Sequence, residues 1–157
     1  VANQNFTVYP QKPKVLFICT RNSARSQMAE GLTRYLKGDR FEASSAGVHP
    51  GKIHPLAIKA MTEIGIDIST QRSKGLDEFR DVEFDIVVTV CDKARGACPF
   101  HPGRILVHRG FDDPDIDEGS KEERLARFRA VRDAIKDFIE SELEALASPG
   151  TKPSVKF

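Results

Sequence analysis

Val15, Leu16, Phe17 and Ile18 form an unbroken apolar run, the pattern of a strand buried on both faces of a parallel sheet. Directly after it, Met28, Leu32, Tyr35 and Leu36 recur at helical spacing, so strand, loop and amphipathic helix follow one another as the opening of a βαβ unit. Phe41–Ala46 reads as a second, less hydrophobic strand nearer a sheet edge, closed by Gly47 and the turn-rich His49-Pro50-Gly51. Pro55 stands where a first helical turn tolerates it. Ala57, Ile58, Met61 and Ile64 then make one apolar face, and Gly65 supplies a stop. Asp85–Val90, with Ile86, Val87, Val88 and Val90, carries the strongest β signal, and Ile105–Val107 is a short fourth strand; both are expected at or near the middle of the sheet. Ser120 and Glu123 form a capping box ahead of Leu125, Phe128, Val131, Ile135, Phe138, Ile139, Leu143 and Leu146, which predicts a long last helix ended by Ser148-Pro149-Gly150.

Strands alternating with helices predict a single-domain α/β fold: an open parallel sheet with helices on both faces and its ligand at the carboxyl ends of the strands. Residues 1–13 are polar and aperiodic, with Pro10 and Pro13 at their end, and read as a flexible arm; residues 14–147 hold the domain, and 148–157 read as a flexible tail. The length of 157 residues fits one core and excludes a two-domain enzyme. With 24 Lys and Arg against 23 Asp and Glu, no net field draws the chain to nucleic acid or an anionic membrane, so any anion site is built locally. No apolar run approaches the roughly 20 residues a membrane helix needs. Three cysteines are too few, and odd in number, for a disulfide-stapled secreted scaffold, and the amino end lacks a signal-peptide pattern. A reducing, cytoplasmic home is expected. In that compartment three cysteines are buried thiols, a metal site or redox chemistry.

The first strand runs into Cys19, and Thr20, Arg21, Asn22, Ser23, Ala24, Arg25 and Ser26 separate it from the helix. Backbone N–H groups of a tight loop entering a helix converge on one spot, where the helix dipole also favours negative charge, so an oxyanion fits there. The same field favours the thiolate, the nucleophilic form, of a cysteine held beneath it. Arg25 can fork two oxygens of a tetrahedral anion and stabilise the charge of a trigonal-bipyramidal transition state. Ser26 is placed to donate to the Cys19 sulfur, and Asn22 to brace the loop, since Asn tolerates left-handed backbone.

The segment Cys19-Thr-Arg-Asn-Ser-Ala-Arg25-Ser26-Gln-Met-Ala-Glu30-Gly31 resembles the phosphate loop of the low-molecular-weight tyrosine phosphatase fold and, more narrowly, that of the thioredoxin-coupled arsenate reductases. The likeness runs from about Lys14 to Leu143 and includes Ser45-Ala46-Gly47, His54-Pro55-Leu56-Ala57 and Ile64-Gly65-Ile66-Asp67. It implies a four-stranded parallel sheet in the order 2-1-3-4, arsenate as substrate with phosphate or sulfate as analogues, thioredoxin as reductant, and no cofactor. Two positions depart from the reductase pattern. Arg21 replaces a common glycine and would strain a loop needing positive φ there. Asn22, Glu30 and Ser45 match a monovalent-cation site of some members, but Lys74 stands where an Asp would be, so no potassium requirement is expected.

Cys91 ends the strongest strand, at the same sheet edge as Cys19, and Cys98 follows seven residues later. A redox relay, a zinc site with His101 and His108, or two unreactive thiols are the three readings; the Cys91 to Cys98 spacing is wider than that of usual structural zinc pairs. The resemblance implies the relay. Arsenic bound to Cys19 is released when Cys91 attacks, giving a Cys19–Cys91 disulfide, and Cys98 then yields a Cys91–Cys98 disulfide for thioredoxin.

After the fourth strand come Asp112, Asp113 and Pro114. By the same resemblance Asp113, preceding the proline, protonates the leaving oxygen, with Asp112 the second candidate. Asp113, Asp115 and Asp117 have calcium-loop spacing, but the glycine falls one place late and Arg124 occupies the twelfth position, so an EF-hand is excluded. A tyrosine phosphatase of this fold would share Cys19, Arg25 and Asp113. That branch usually has aromatic residues after the Asp-Pro pair and proline after the loop serine, where Asp115, Ile116 and Gln27 stand here. A binding module without turnover is the non-enzymatic alternative.

Overall fold

The computed structural model describes residues 12–91, 101–147 and 154–156. The elements in chain order are β1 (Lys14–Cys19), α1 (Arg25–Lys37), β2 (Glu42–Gly47), α2 (Pro55–Thr62), a 3-10 turn (Leu76–Phe79), β3 (Phe84–Cys91), β4 (Gly103–Phe111), α3 (Lys121–Phe138) and β5 (Ser154–Lys156). A π turn at Ile139–Leu143 and the short helix Glu144–Leu146 prolong α3.

All pairings are parallel, and the sheet order is β2-β1-β3-β4-β5. The four strands expected from the sequence thus stand in the order 2-1-3-4. The fifth lies in the segment expected to be a loose tail. It pairs Ser154, Val155 and Lys156 with Ile105, Leu106 and Val107, which satisfies the open edge that β4 would otherwise present. β4 itself runs from Gly103 to Phe111, longer than its apolar centre, because pairing with β3 continues past the core. α2 stops at Thr62, before Ile64, and the chain reverses at Gly65, whose φ of 81° suits glycine. The expected arm, residues 1–13, lies mostly outside the described residues, as does the start of the tail.

β1 is buried because it has a partner on each edge and a cover on each face. Val15 and Phe17 join a core with Met28 and Leu32 of α1, Met61 of α2 and Phe128 and Ile135 of α3; Leu16 and Ile18 face a smaller cluster under Leu76, Phe79 and Val82. Among the described residues the wrapping is therefore three helices on one face and a single short turn on the other. Truncating a fully buried side chain such as Leu32 to alanine costs about 2–5 kcal/mol. The capping box at Ser120 and Glu123 is formed in both directions, and losing its serine costs about 1 kcal/mol.

α2 and α3 are tied by Glu63, which accepts from Arg129 Nε at 2.8 Å and NH2 at 2.6 Å, and from Arg132 NH1 at 3.3 Å. The Arg129 hydrogen bonds hold the Glu63 carboxyl below the ordinary carboxylate range. A folded-state value below the unfolded one adds stability at neutral pH that is lost as pH falls through the folded value. Urea unfolding is expected to find Glu63→Gln less stable than the parent at pH 7, with the gap closing below roughly pH 4.

Candidate active site

The loop between β1 and α1 is shaped by its carbonyls. Val48 N–H donates to Cys19 O at 3.3 Å, His49 to Thr20 O at 2.7 Å, Gly51 to Arg21 O at 3.3 Å and His54 to Ser23 O at 3.0 Å. In a trans peptide the N–H points opposite to the C=O, so anchoring these carbonyls to residues 48–54 turns the following amides toward the loop's interior. The amide of Asn22 ends on the Cys19 sulfur, 3.2 Å away. The left-handed residue is Asn22, φ 50°; Arg21 is not among the positive-φ residues, so the strain expected there does not arise. Gly47 permits the close approach, since a Cβ there would meet Asn22 N at 2.7 Å. α1 opens behind Ala24 with no side-chain cap and no acidic residue in its first turn, leaving its first N–H groups and dipole to an anion.

The Cys19 sulfur is buried, 3% exposed, and 2.8 Å from Ser26 Oγ. Asn22 Nδ2 can only donate, and it donates to Ser26 Oγ at 2.7 Å and to Ser45 Oγ at 2.9 Å. Ser26 Oγ therefore has its own proton free for the sulfur, and Ser45 Oγ donates a hydrogen bond to Glu30 Oε1 at 2.7 Å. On the other side of the amide, Asn22 Oδ1 accepts from Gln27 Nε2 at 2.8 Å and from the Lys74 backbone N–H at 3.0 Å. Every polar atom of Asn22's side chain is thus engaged in a fully buried position, which fixes the left-handed turn. Gln27 is a member of this bracing that sequence reading passed over; the signal was a polar residue beside Ser26 on a helix whose neighbours are all buried.

A cavity of about 270 Å³ opens above the sulfur, lined by Cys19, Thr20, Arg21, Ser23, Ala24, Arg25, Asp113 and Asp115. Asn22 and Ser26 lie beneath it. Arg25 is steered by NH1 donating to Phe111 O at 3.2 Å and by NH2 lying 3.7 Å from Asp113 Oδ2. Of the two acid candidates, Asp113 reaches the cavity and Asp112 does not line it. The arrangement can seat a tetrahedral oxyanion between a sulfur nucleophile, a cradle of amides, a guanidinium and a carboxyl.

Glu30, 3% exposed, is met by Arg34 NH2 at 2.9 Å and by Lys74 Nζ at 3.4 Å, while the same ammonium donates to Arg72 O at 2.9 Å. A lysine charge thus stands beside the Asn22, Ser45 and Glu30 cluster.

Cys91 ends β3 on the strand adjacent to β1. The register pairs Ile18 with Thr89, which puts Cys91 about one residue past the level of Cys19 at the same edge. Strands lie ~4.8 Å apart and rise ~3.3 Å per residue, so the two backbones are neighbours. Cys98 lies outside the described residues. The zinc set is not gathered: His101 precedes β4, its ring nitrogens 2.9 Å from the carbonyls of Pro102 and Phe79 and its ring 5.2 Å from Phe84, at the opposite end of β3 from Cys91. Seven residues of strand, ~23 Å, separate those ends. His108 Nδ1 is 2.7 Å from Thr89 Oγ1. No group of three metal-ligating side chains occurs among the described residues, and none of their helices is long and apolar enough to cross a membrane.

The parallel sheet and the cysteine-arginine loop at its carboxyl edge define a phosphatase-type oxyanion site, and the chain belongs to the low molecular weight phosphotyrosine protein phosphatase family, whose pattern matches residues 14–151. Within that family it is similar to arsenate reductases. One from Halalkalibacterium halodurans is 48% identical over 125 residues, 79% of this chain and 90% of the relative. A solved arsenate reductase in the phosphate-binding state superposes with a TM-score of 0.69 at 34% identity, covering 86% of this chain and 97% of the other. A thioredoxin-dependent arsenate reductase from Corynebacterium glutamicum gives a TM-score of 0.63 at 29% identity, covering 89% of this chain and 64% of the other.

Proposed function

We propose that this protein is an arsenate reductase, converting arsenate to arsenite with a thioredoxin-type dithiol as reductant in a reducing, cytoplasmic compartment. The observation that carries the reading is the position of Cys91, ending the strand next to the one that presents Cys19 under its amide cradle.

In this reading the amides of Thr20 to Ser26 and the Arg25 guanidinium hold arsenate against Cys19. The Cys19 thiolate forms an S–As bond as an As–O bond breaks, and Asp113 gives its proton to the departing oxygen, which leaves as water. The Cys91 thiolate then attacks the Cys19 sulfur. The S–As electron pair stays on arsenic, which leaves as arsenite at two electrons lower oxidation state, and a Cys19–Cys91 disulfide remains. Attack of Cys98 on Cys91 frees Cys19 and leaves a Cys91–Cys98 disulfide, which the external dithiol reduces. Gln27 behind Ser26, and Asp115 and Ile116 after Asp113-Pro114 in place of aromatic residues, favour this reading over a tyrosine phosphatase.

The test is arsenate-dependent oxidation of NADPH in the presence of thioredoxin and its reductase, run beside hydrolysis of an aryl phosphate. Reduction with slow ester hydrolysis is expected; brisk ester hydrolysis without reduction favours the phosphatase, and turnover of neither favours a binding module.

With the Lys74 ammonium beside Glu30, exchanging potassium for a bulky organic cation at fixed ionic strength is expected to change the arsenate rate by less than about twofold. A several-fold rise with potassium contradicts that assignment.

A further inference from the structure

Asp113 is more than half exposed, 56%, and its ion pair with Arg25 is long at 3.7 Å, so that pair alone holds the acid loosely. A second restraint comes from two residues further along. The backbone N–H of Asp115 donates to Asp113 Oδ1 at 2.9 Å, which engages one carboxyl oxygen and leaves Oδ2 on the Arg25 side of the cavity.

Asp115 is itself anchored, by His54 from the other side of the site. His54 Nε2 lies 3.2 Å from Asp115 Oδ1. The ring is a fixed point for three reasons. Its Nδ1 accepts from Leu56 N–H at 3.0 Å as the N-cap of α2, so the neutral ring carries its proton on Nε2 and aims it at Asp115. Its ring packs on Phe128, with centroids 4.7 Å apart. Its backbone N–H donates to Ser23 O at 3.0 Å. One residue thus grips the phosphate loop through its main chain and the acid loop through its side chain.

We infer that His54, acting through Asp115, is a positioning residue that keeps Asp113 in register with the phosphate loop, so that the acid's proton meets the leaving oxygen. This deepens the proposed function and rests on it. His54 touches no reacting atom, and its effect is confined to steps that need a proton delivered. Arsenate always needs one, because its leaving group is an oxide or hydroxide. Among phosphate esters, benzyl phosphate needs one and p-nitrophenyl phosphate, whose leaving oxygen departs as a stable anion, scarcely does.

The test is kcat/KM for arsenate and for both esters with His54→Asn, Asp115→Ala, their double variant and Asp115→Asn. Asparagine at position 54 still caps α2 but is too short to cap and reach Asp115 together. The expected result is a loss of roughly 5- to 20-fold for arsenate and benzyl phosphate in each single variant, several-fold larger than the loss the same variant shows with p-nitrophenyl phosphate. The double variant should be no worse than either single one, and Asp115→Asn, which keeps an oxygen for the His54 N–H, should recover most of the loss. Equal losses on both esters, additive losses, or no loss at all with an active parent protein overturn the tie alone. A parent protein that turns over neither arsenate nor ester overturns the proposed function, and this inference with it.

Discussion

Cys19→Ser is expected to abolish both arsenate reduction and phosphate-ester hydrolysis, by at least about 10⁴-fold, while leaving the fold and the oxyanion site in place. The hydroxyl is nearly the shape of the thiol, so a buried side chain in this position is replaced without a cavity. What is lost is the sulfur nucleophile. The amide of Asn22 and the hydroxyl of Ser26 both lie against the position 19 sulfur, and an alcohol oxygen placed there is a far weaker nucleophile than sulfur. Steady-state rates with both substrates measure the loss, and calorimetric titration with phosphate or arsenate should show that the cradle still binds. Residual turnover within tenfold of the parent would mean that the sulfur is not the nucleophile.

The second large effect separates the two activities that one phosphate loop can serve. Under the proposed relay Cys98→Ser stops at the Cys19–Cys91 disulfide, so it should yield about one arsenite per protein molecule and then fall at least about 100-fold below the parent in steady state. Ester hydrolysis, which uses no second thiol, should stay within about twofold when the protein is kept reduced. A single-turnover burst measured by arsenite release, followed by the steady-state NADPH trace, reads both quantities. Unchanged arsenate reduction in this variant would remove Cys98 from the chemistry.

Much of this was legible in the chain because the central elements carry local signals. Val15–Ile18 and Ile86–Val90 read as buried strands because β1 and β3 are flanked on both edges, and the Ser120 capping box is complete within four residues. The loop chemistry was legible for the same reason: Cys19, Asn22, Arg25 and Ser26 lie within eight residues, and the bonds among them are local. What escaped was set by distance. β5 is three residues long and shows no period, and only the open edge of β4 makes it a strand. The far end of β4 carries exposed Arg109 and Gly110, so its hydrophobic pattern stops before its pairing does. His101 sits beside Cys98 in sequence order yet faces the opposite end of the sheet from Cys91, because β4 starts where β3 starts in a parallel pair. The contact between His54 and Asp115 joins residues 61 apart, and no local pattern in either segment announces it.

In the proposed reaction electrons reach arsenic only if the oxidising equivalents pass from Cys19 through Cys91 to Cys98. The most direct measurement is disulfide mapping by mass spectrometry after the fully reduced protein, without thioredoxin, is given one equivalent of arsenate and its remaining thiols are alkylated. The proposed function predicts a Cys91–Cys98 disulfide with Cys19 alkylated in the parent protein, and a Cys19–Cys91 disulfide in Cys98→Ser. Three alkylated cysteines in a protein that still binds arsenate would contradict it.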